Sequence, residues 1–176
     1  MAVRPIRLLG DPILRKQSEE VGEVNGEIRA LVADMIDTVD SASGLGLAAP
    51  QVGVLKRVIV VVEIDGEGGR RHHELINPKI VSACGEDVNE EGCLSIPGIY
   101  ANVKRPQSVV MSGMDRSGRK ITIEASGVAA RAFAHEVDHL DGVLFIDRIG
   151  IVKRNLLRGK LNAIRKKAKE MLKSPR

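Results

Sequence analysis

Aromatic side chains are nearly missing from this chain of 176 residues: it has no Trp, one Tyr (Tyr100) and two Phe (Phe133 and Phe145). A core must therefore be assembled from Val, Ile, Leu, Ala and Met. Recognition of nucleic-acid sequence by stacked bases needs aromatic platforms, so no sequence-specific nucleic-acid partner is expected. Cysteine is also scarce, with only Cys84 and Cys93. Two cysteines make no disulfide scaffold, and free thiols in a reducing cytoplasm are expected. No run of about 18 apolar residues occurs, so no membrane partner is expected. The opening Met1–Arg7 segment lacks the apolar stretch of a secretory signal.

What is present describes one globular unit. The length can bury a real core, and the 43% hydrophobic and 28% charged fractions are those of an ordinary folded chain rather than a disordered one. The net charge of +4 is unevenly placed: Lys153–Arg176 carries ten Lys and Arg against one acid, Glu170, whereas the remainder is net acidic. The division expected is a catalytic domain over 1–150 and a basic C-terminal helical extension over 151–176.

Periodicity supplies the elements. Asn25 can cap a helix over Gly26–Ser41, where Ile28, Leu31, Val32, Met35, Ile36 and Val39 recur at spacings of three and four. Val58–Val62 is a β-branched run and reads as a buried strand. Leu75–Val81 reads as an edge strand, because Pro78 cannot donate to a ladder. Asp115–Gly118 between two alternating runs signals a hairpin. A second helix is expected over Gly127–Leu140 and a last one over about Val152–Leu172, with an apolar stripe of Leu156, Leu157, Leu161, Ile164, Ala168 and Met171. This order implies an α+β fold: antiparallel β-sheets packed around a central metal-binding helix, with N-terminal and C-terminal helices.

Three short segments carry chemistry. His135-Glu136-Val137-Asp138-His139 puts two imidazoles one turn apart on a helix face, the spacing that binds one metal ion. Glu136 follows the first imidazole and can act on a water without ligating the metal. A catalytic site needs three protein ligands and an open position. No His follows His139, and Asp141 is too near in sequence to wrap back. Cys93, in Glu90-Glu91-Gly92-Cys93-Leu94-Ser95, is the better third ligand, although taken alone it also reads as a small buried hydrophobe. Gln51, in Ala48-Ala49-Pro50-Gln51, has an amide that can donate to a developing oxyanion; without the other two segments it reads as an ordinary surface glutamine. His72 and His73 are expected in a solvated Gly-rich connection.

The three segments, Gly44-Leu45-Gly46-Leu47-Ala48-Ala49-Pro50-Gln51, Glu91-Gly92-Cys93-Leu94-Ser95 and His135-Glu136-Val137-Asp138-His139, resemble the signature motifs of the peptide deformylases, complete and in order. The likeness runs from about Ile6 to Ile149. It implies hydrolytic removal of the formyl group from formyl-methionine at the start of N-formylated nascent peptides. It implies one divalent metal ion, natively Fe(II) with Ni, Co or Zn as substitutes, held by Cys93, His135 and His139. Glu136 becomes the general base and then acid, and Gln51 with the backbone N–H of Leu94 holds the oxygen of the tetrahedral intermediate. Leu45, Gly46, Glu91, Gly92, Val128 and Ala132 would line the peptide's path. Arg131 is expected to run its stem along that pocket and leave its charge in water. Arg105, Glu91 and Asp138 are candidates for ion pairs bracing the cysteine segment. In this family a basic C-terminal helix can dock on the ribosome. The competing reading is a zinc endopeptidase of the His-Glu-x-x-His type, which lacks a convincing third ligand downstream.

Overall fold

The computed structural model describes residues 2–173. Its first helix, α1 (Gly26–Ser41), starts where the Asn25 side chain accepts the Ile28 N–H at 3.1 Å, as an N-cap should. Its apolar stripe faces β2 (Val58–Ile64). Val58, Val60 and Val62 point to α1, while Ile59 and Val61 point to the opposite face. That opposite face packs against Ala130, Phe133 and Leu140 of α2 (Gly127–Leu140). A strand buried on both faces has no polar alternation to show, which is why the run is continuously β-branched. Burying each of these side chains stabilises the fold by about 1.5–3 kcal/mol.

Around β2 lie β1 (Gly46–Ala48), β3 (Arg70–Cys84), β6 (Ser108–Met114) and β7 (Lys120–Ser126). They form one antiparallel sheet in the order β1-β2-β3-β6-β7. The β6–β7 hairpin turns at Asp115–Gly118 as its sequence requires, with the Asp115 carboxylate accepting the Ser117 and Arg119 N–H groups. A separate ribbon pairs β4 (Asp87–Cys93) with β5 (Ile96–Arg105). The α+β architecture is as expected, with both cysteines free.

Three expectations are corrected. The strand holding Pro78 is interior, not an edge: the β3–β6 register slips between Ile76 and Lys79, so Pro78 owes no ladder hydrogen bond. His72 and His73 belong to β3, not to a solvated connection. His72 Nε2 lies 2.9 Å from Asp40 Oδ1, and the His73 ring packs 5.9 Å from that of Phe133. The terminal helix divides at Leu157 into α3 (Ile151–Leu156) and α4 (Arg158–Lys173), and its stripe is only partly covered. Leu161 and Ala168 are buried, but Leu156 is 82% exposed and Met171 45%.

The terminal elements meet on a third cluster, where Leu9, Leu14, Ile96, Phe145, Ile146 and Leu161 pack together. Approach is close: a Cβ at Gly10, whose φ is +115°, would lie 2.9 Å from the Arg165 Cα. Asp147 pins the adjoining turns. Its carboxylate accepts from the Arg15 guanidinium and, at 2.9 Å, from the Leu144 N–H. Burial pushes this carboxyl up, but the Arg15 and Leu144 hydrogen bonds outweigh it and hold the value below the usual carboxylate range. A depressed value contributes stability that is complete above the unfolded carboxyl's titration and disappears as pH falls through the folded one. Asp147→Asn should therefore cost on the order of 1 kcal/mol at neutral pH. Urea titrations of both proteins should show that gap closing as pH falls below about 4; a gap independent of pH would contradict the assignment.

Candidate metal centre

α2 places His135 and His139 one turn apart with both rings buried. The ring of Phe145 stacks on His135 with centroids 6.3 Å apart. Opposite them, the β4–β5 pairing is irregular between Glu91 and Cys93, which ends the ribbon at the cysteine. Cys93 Sγ then stands 3.2 Å from His139 Nε2, which is 3.2 Å from His135 Nε2, and all three donor atoms lie within 4.8 Å of one another.

These spacings fit an ion. Two nitrogens bound tetrahedrally at roughly 2.05 Å would sit about 3.3 Å apart. Glu91 Oε1 accepts from His135 Nδ1–H, which leaves Nε2 as the lone-pair donor facing the sulfur. Burial pulls the proton affinity of His135 down, but the hydrogen bonds to Cys93 and Glu91 raise it well above the imidazole norm overall, so a cation binding at Nε2 has a proton to displace. Burial, with the His135 charge, drives His139 well below that norm. Two imidazole nitrogens and a thiol sulfur converging in a buried spot call for a cation between them. A divalent ion fits this site.

Glu91 is held by two arginines as well as by His135. Arg105 grips it bidentately at 3.0 and 2.6 Å, and Arg131 reaches it at 3.1 Å. Burial favours the neutral acid, yet the His135 and Arg105 hydrogen bonds bring the Glu91 carboxyl down to about 2. Arg105 also donates to Asp138 at 2.5 Å, and Arg148 closes the chain onto the same carboxylate. The expected bracing of Glu91, Arg105 and Asp138 is present; Arg148 is an addition that its distance in sequence concealed. Arg131 is a correction. Its guanidinium is not in water but buried among acceptors, and the residue is 8% exposed.

Glu136 is buried with Oε2 unpartnered, and burial raises its carboxyl to about 7. Gln51, in the short 3-10 turn Ala49–Val52, is 1% exposed rather than at the surface. Its Oε1 accepts the Ala48 N–H at 2.8 Å, which aims its Nε2 at Ser95 Oγ (3.1 Å) and Cys93 Sγ (3.6 Å). Ser95 was not singled out from the sequence, although a serine two residues past a ligand cysteine can reach the same space. The N-terminal segment staples both loops: Arg7 N–H donates to the Gln51 carbonyl at 2.7 Å and Leu9 N–H to the Ser95 carbonyl at 2.8 Å.

A cleft of about 840 Å³ opens over these groups. Leu45 and Gly46 form one side, Glu91, Gly92 and Leu94 another, and Val128 and Ala132 a third, with Gln51, Cys93, His135 and Glu136 at the base. Val128 is 65% exposed. His139 lies behind the base, 1% exposed, with its Nδ1 unpartnered. Asp141 is elsewhere, paired with Arg57 at 2.7 Å.

A centre of three protein donors under an open cleft, with an unsatisfied carboxylate beside it, belongs to the metal-dependent hydrolases. Known proteins narrow the class. Residues 3–155 match the family model described as polypeptide deformylase, and the chain belongs to that family. The peptide deformylase of Thermodesulfovibrio yellowstonii is 49% identical over 160 residues, 91% of this chain and 97% of the relative. That of Acetivibrio thermocellus is 52% identical over 149 residues, 85% of each chain. Among solved structures, the Thermus thermophilus peptide deformylase superposes with a TM-score of 0.86 at 40% identity, covering 94% of this chain and 99% of that one. The Ehrlichia chaffeensis enzyme in complex with actinonin gives 0.86 at 38% identity, covering 95% and 98%.

Gly46 has a steric reason to be glycine. A Cβ there would lie 2.3 Å from Glu136 Oε1. Gly46→Ala should displace that carboxylate and lower deformylation by at least about a hundredfold, the usual loss when a general base is misplaced. Metal content, read by elemental analysis, should be unchanged. Normal turnover by this variant would show that the Glu136 position does not matter.

Proposed function

We propose that this chain removes the formyl group from the terminal formyl-methionine of nascent polypeptides, releasing formate, with Cys93, His135 and His139 holding one divalent ion. The observation that carries this reading is the convergence of those three donors beneath a cleft that the Glu136 carboxylate and the Gln51 amide also line. An ion bound there supplies an acidified water as nucleophile and polarises the formyl oxygen.

The rest is the work of this chain's own residues. Glu136, poised near neutrality by burial, takes the proton of the attacking water and returns it to the departing amine. Gln51 Nε2 and the Leu94 N–H donate to the oxygen as negative charge gathers on it. The backbones of Leu45 and Gly46 and of Glu91 and Gly92 pair with the extended peptide as an added strand, and Val128 and Ala132 border its first side chain. The zinc-endopeptidase reading has less support, since the third donor precedes the helix and the relatives are deformylases throughout.

Fe(II) is the proposed native metal on the strength of the family resemblance; a thiolate with two imidazoles suits Ni, Co or Zn as substitutes equally well. The residues from 151 onward act as a basic extension in this reading, although Ser174, Pro175 and Arg176 lie outside the described residues. No helix among the described residues is long and apolar enough to cross a membrane, and a cytoplasmic site of action suits a nascent-chain substrate. The basic face of α4 would contact ribosomal phosphates without reading bases.

Glu136→Ala should retain metal in anaerobically purified protein but release formate from formyl-Met peptides about a hundred- to ten-thousand-fold more slowly. Formylated peptides should be cleaved and acetylated ones not; cleavage of internal peptide bonds instead would favour the endopeptidase. Protein truncated before Ile151 should lose salt-sensitive co-sedimentation with ribosomes, and equal binding with and without the extension would refute the docking role.

A further inference from the structure

The first turns of α2 carry a buried arginine that neither holds the metal nor performs the chemistry assigned above. Arg131 lies between Val128 and Ala132 on the helix face that borders the cleft. Its guanidinium gathers oxygens from both strands of the β4–β5 ribbon. Nη1 donates to the Val103 carbonyl at 2.8 Å, to Glu91 Oε2 at 3.1 Å and to the Asn89 carbonyl at 3.4 Å. Nη2 donates to the Asp87 carbonyl at 3.0 Å and to its Oδ2 at 3.2 Å. Three of the five acceptors are main-chain oxygens, so the contact fixes the position of the ribbon itself rather than of one side chain.

The ribbon needs such a tie. It shares no strand pairing with the five-stranded sheet, so nothing in the ladder sets its distance from α2. The two cleft walls it joins are Glu91 and Gly92 on the ribbon, which in the reading above pair with the peptide backbone, and Val128 and Ala132 on the helix, which border its first side chain. The planar, five-donor guanidinium can span several acceptors at a fixed separation, which an ammonium cannot.

We propose that Arg131 is a positioning residue that bolts the β4–β5 ribbon to α2, sets the width of the cleft, and thereby limits which first side chains the enzyme accepts. The inference deepens the deformylase reading and rests on it for its selectivity arm.

Arg131→Met keeps the length of the stem and removes every donor. In metal-loaded protein, amide hydrogen exchange over 87–91 and 101–105 should rise by about tenfold or more, the loss of a few charge-assisted hydrogen bonds. Exchange in β2 should not change. KM for formyl-Met peptides should rise more than kcat falls. The kcat/KM preference for formyl-Met over formyl-Phe peptides should shrink by about tenfold, an effect that general destabilisation does not produce. Arg131→Lys, which restores charge but not the planar fork, should fall between; it also carries the comparison if the methionine variant does not fold. Unchanged exchange in the ribbon, or a loosened ribbon with unaltered side-chain preference, overturns the proposal. Wild-type protein that releases no formate would instead overturn the deformylase reading, while the exchange comparison still decides whether Arg131 is the bolt.

Discussion

The structure turns on one buried carboxylate. Glu91 sits where the two-stranded ribbon meets the helix that carries His135 and His139, and it accepts from Arg105, Arg131 and His135 together. Its charge is what lets two arginines and an imidazole be buried in one place, and its direction fixes which nitrogen of His135 faces the cleft. Removing one partner from such a cluster leaves unpaired charge in a low-dielectric interior, at a cost of about 3–5 kcal/mol. The same group thus braces the fold and prepares the ligand, so the tautomer of a metal-facing histidine depends on how the ribbon docks.

Around that point the fold divides the labour. The sheet, packed on both faces by α1 and α2, gives the helix a rigid bed, and the rigid bed holds two imidazoles at ion-binding separation. The ribbon brings the third donor and one wall of the cleft. The N-terminal segment joins the two loops through the Gln51 and Ser95 carbonyls. Precision at the centre comes from regular elements, and the open side is left to short loops.

The legible parts of the sequence were those governed by local rules. α1 runs over the residues that its stripe and its Asn25 cap mark out, and α2 ends at Leu140 before the left-handed Gly142. The β6–β7 hairpin follows its turn residues. Misreadings came where a distant partner overrode a local preference. Pro78 marks an edge only if the ladder needs its N–H, and a register slip removed that need. His72 and His73 looked solvated beside a glycine-rich stretch, but β3 extends back through them. Arg131 looked as if it would reach water, because nothing near it in sequence shows that the Val103 and Asp87 carbonyls converge on its guanidinium.

By itself the sequence determined the chemical kit: two imidazoles a turn apart, a thiol, a carboxylate beside them and an amide in a tight loop, each set by residue type and short-range spacing. Only the tertiary structure decided their use. Cys93 and the histidines are 42 and 46 residues apart, and no local rule brings a strand end to within bonding distance of a helix. That meeting is the outcome of a buried ion-pair cluster and three apolar clusters assembled at once, which is information held by the packed chain and not by any segment of it.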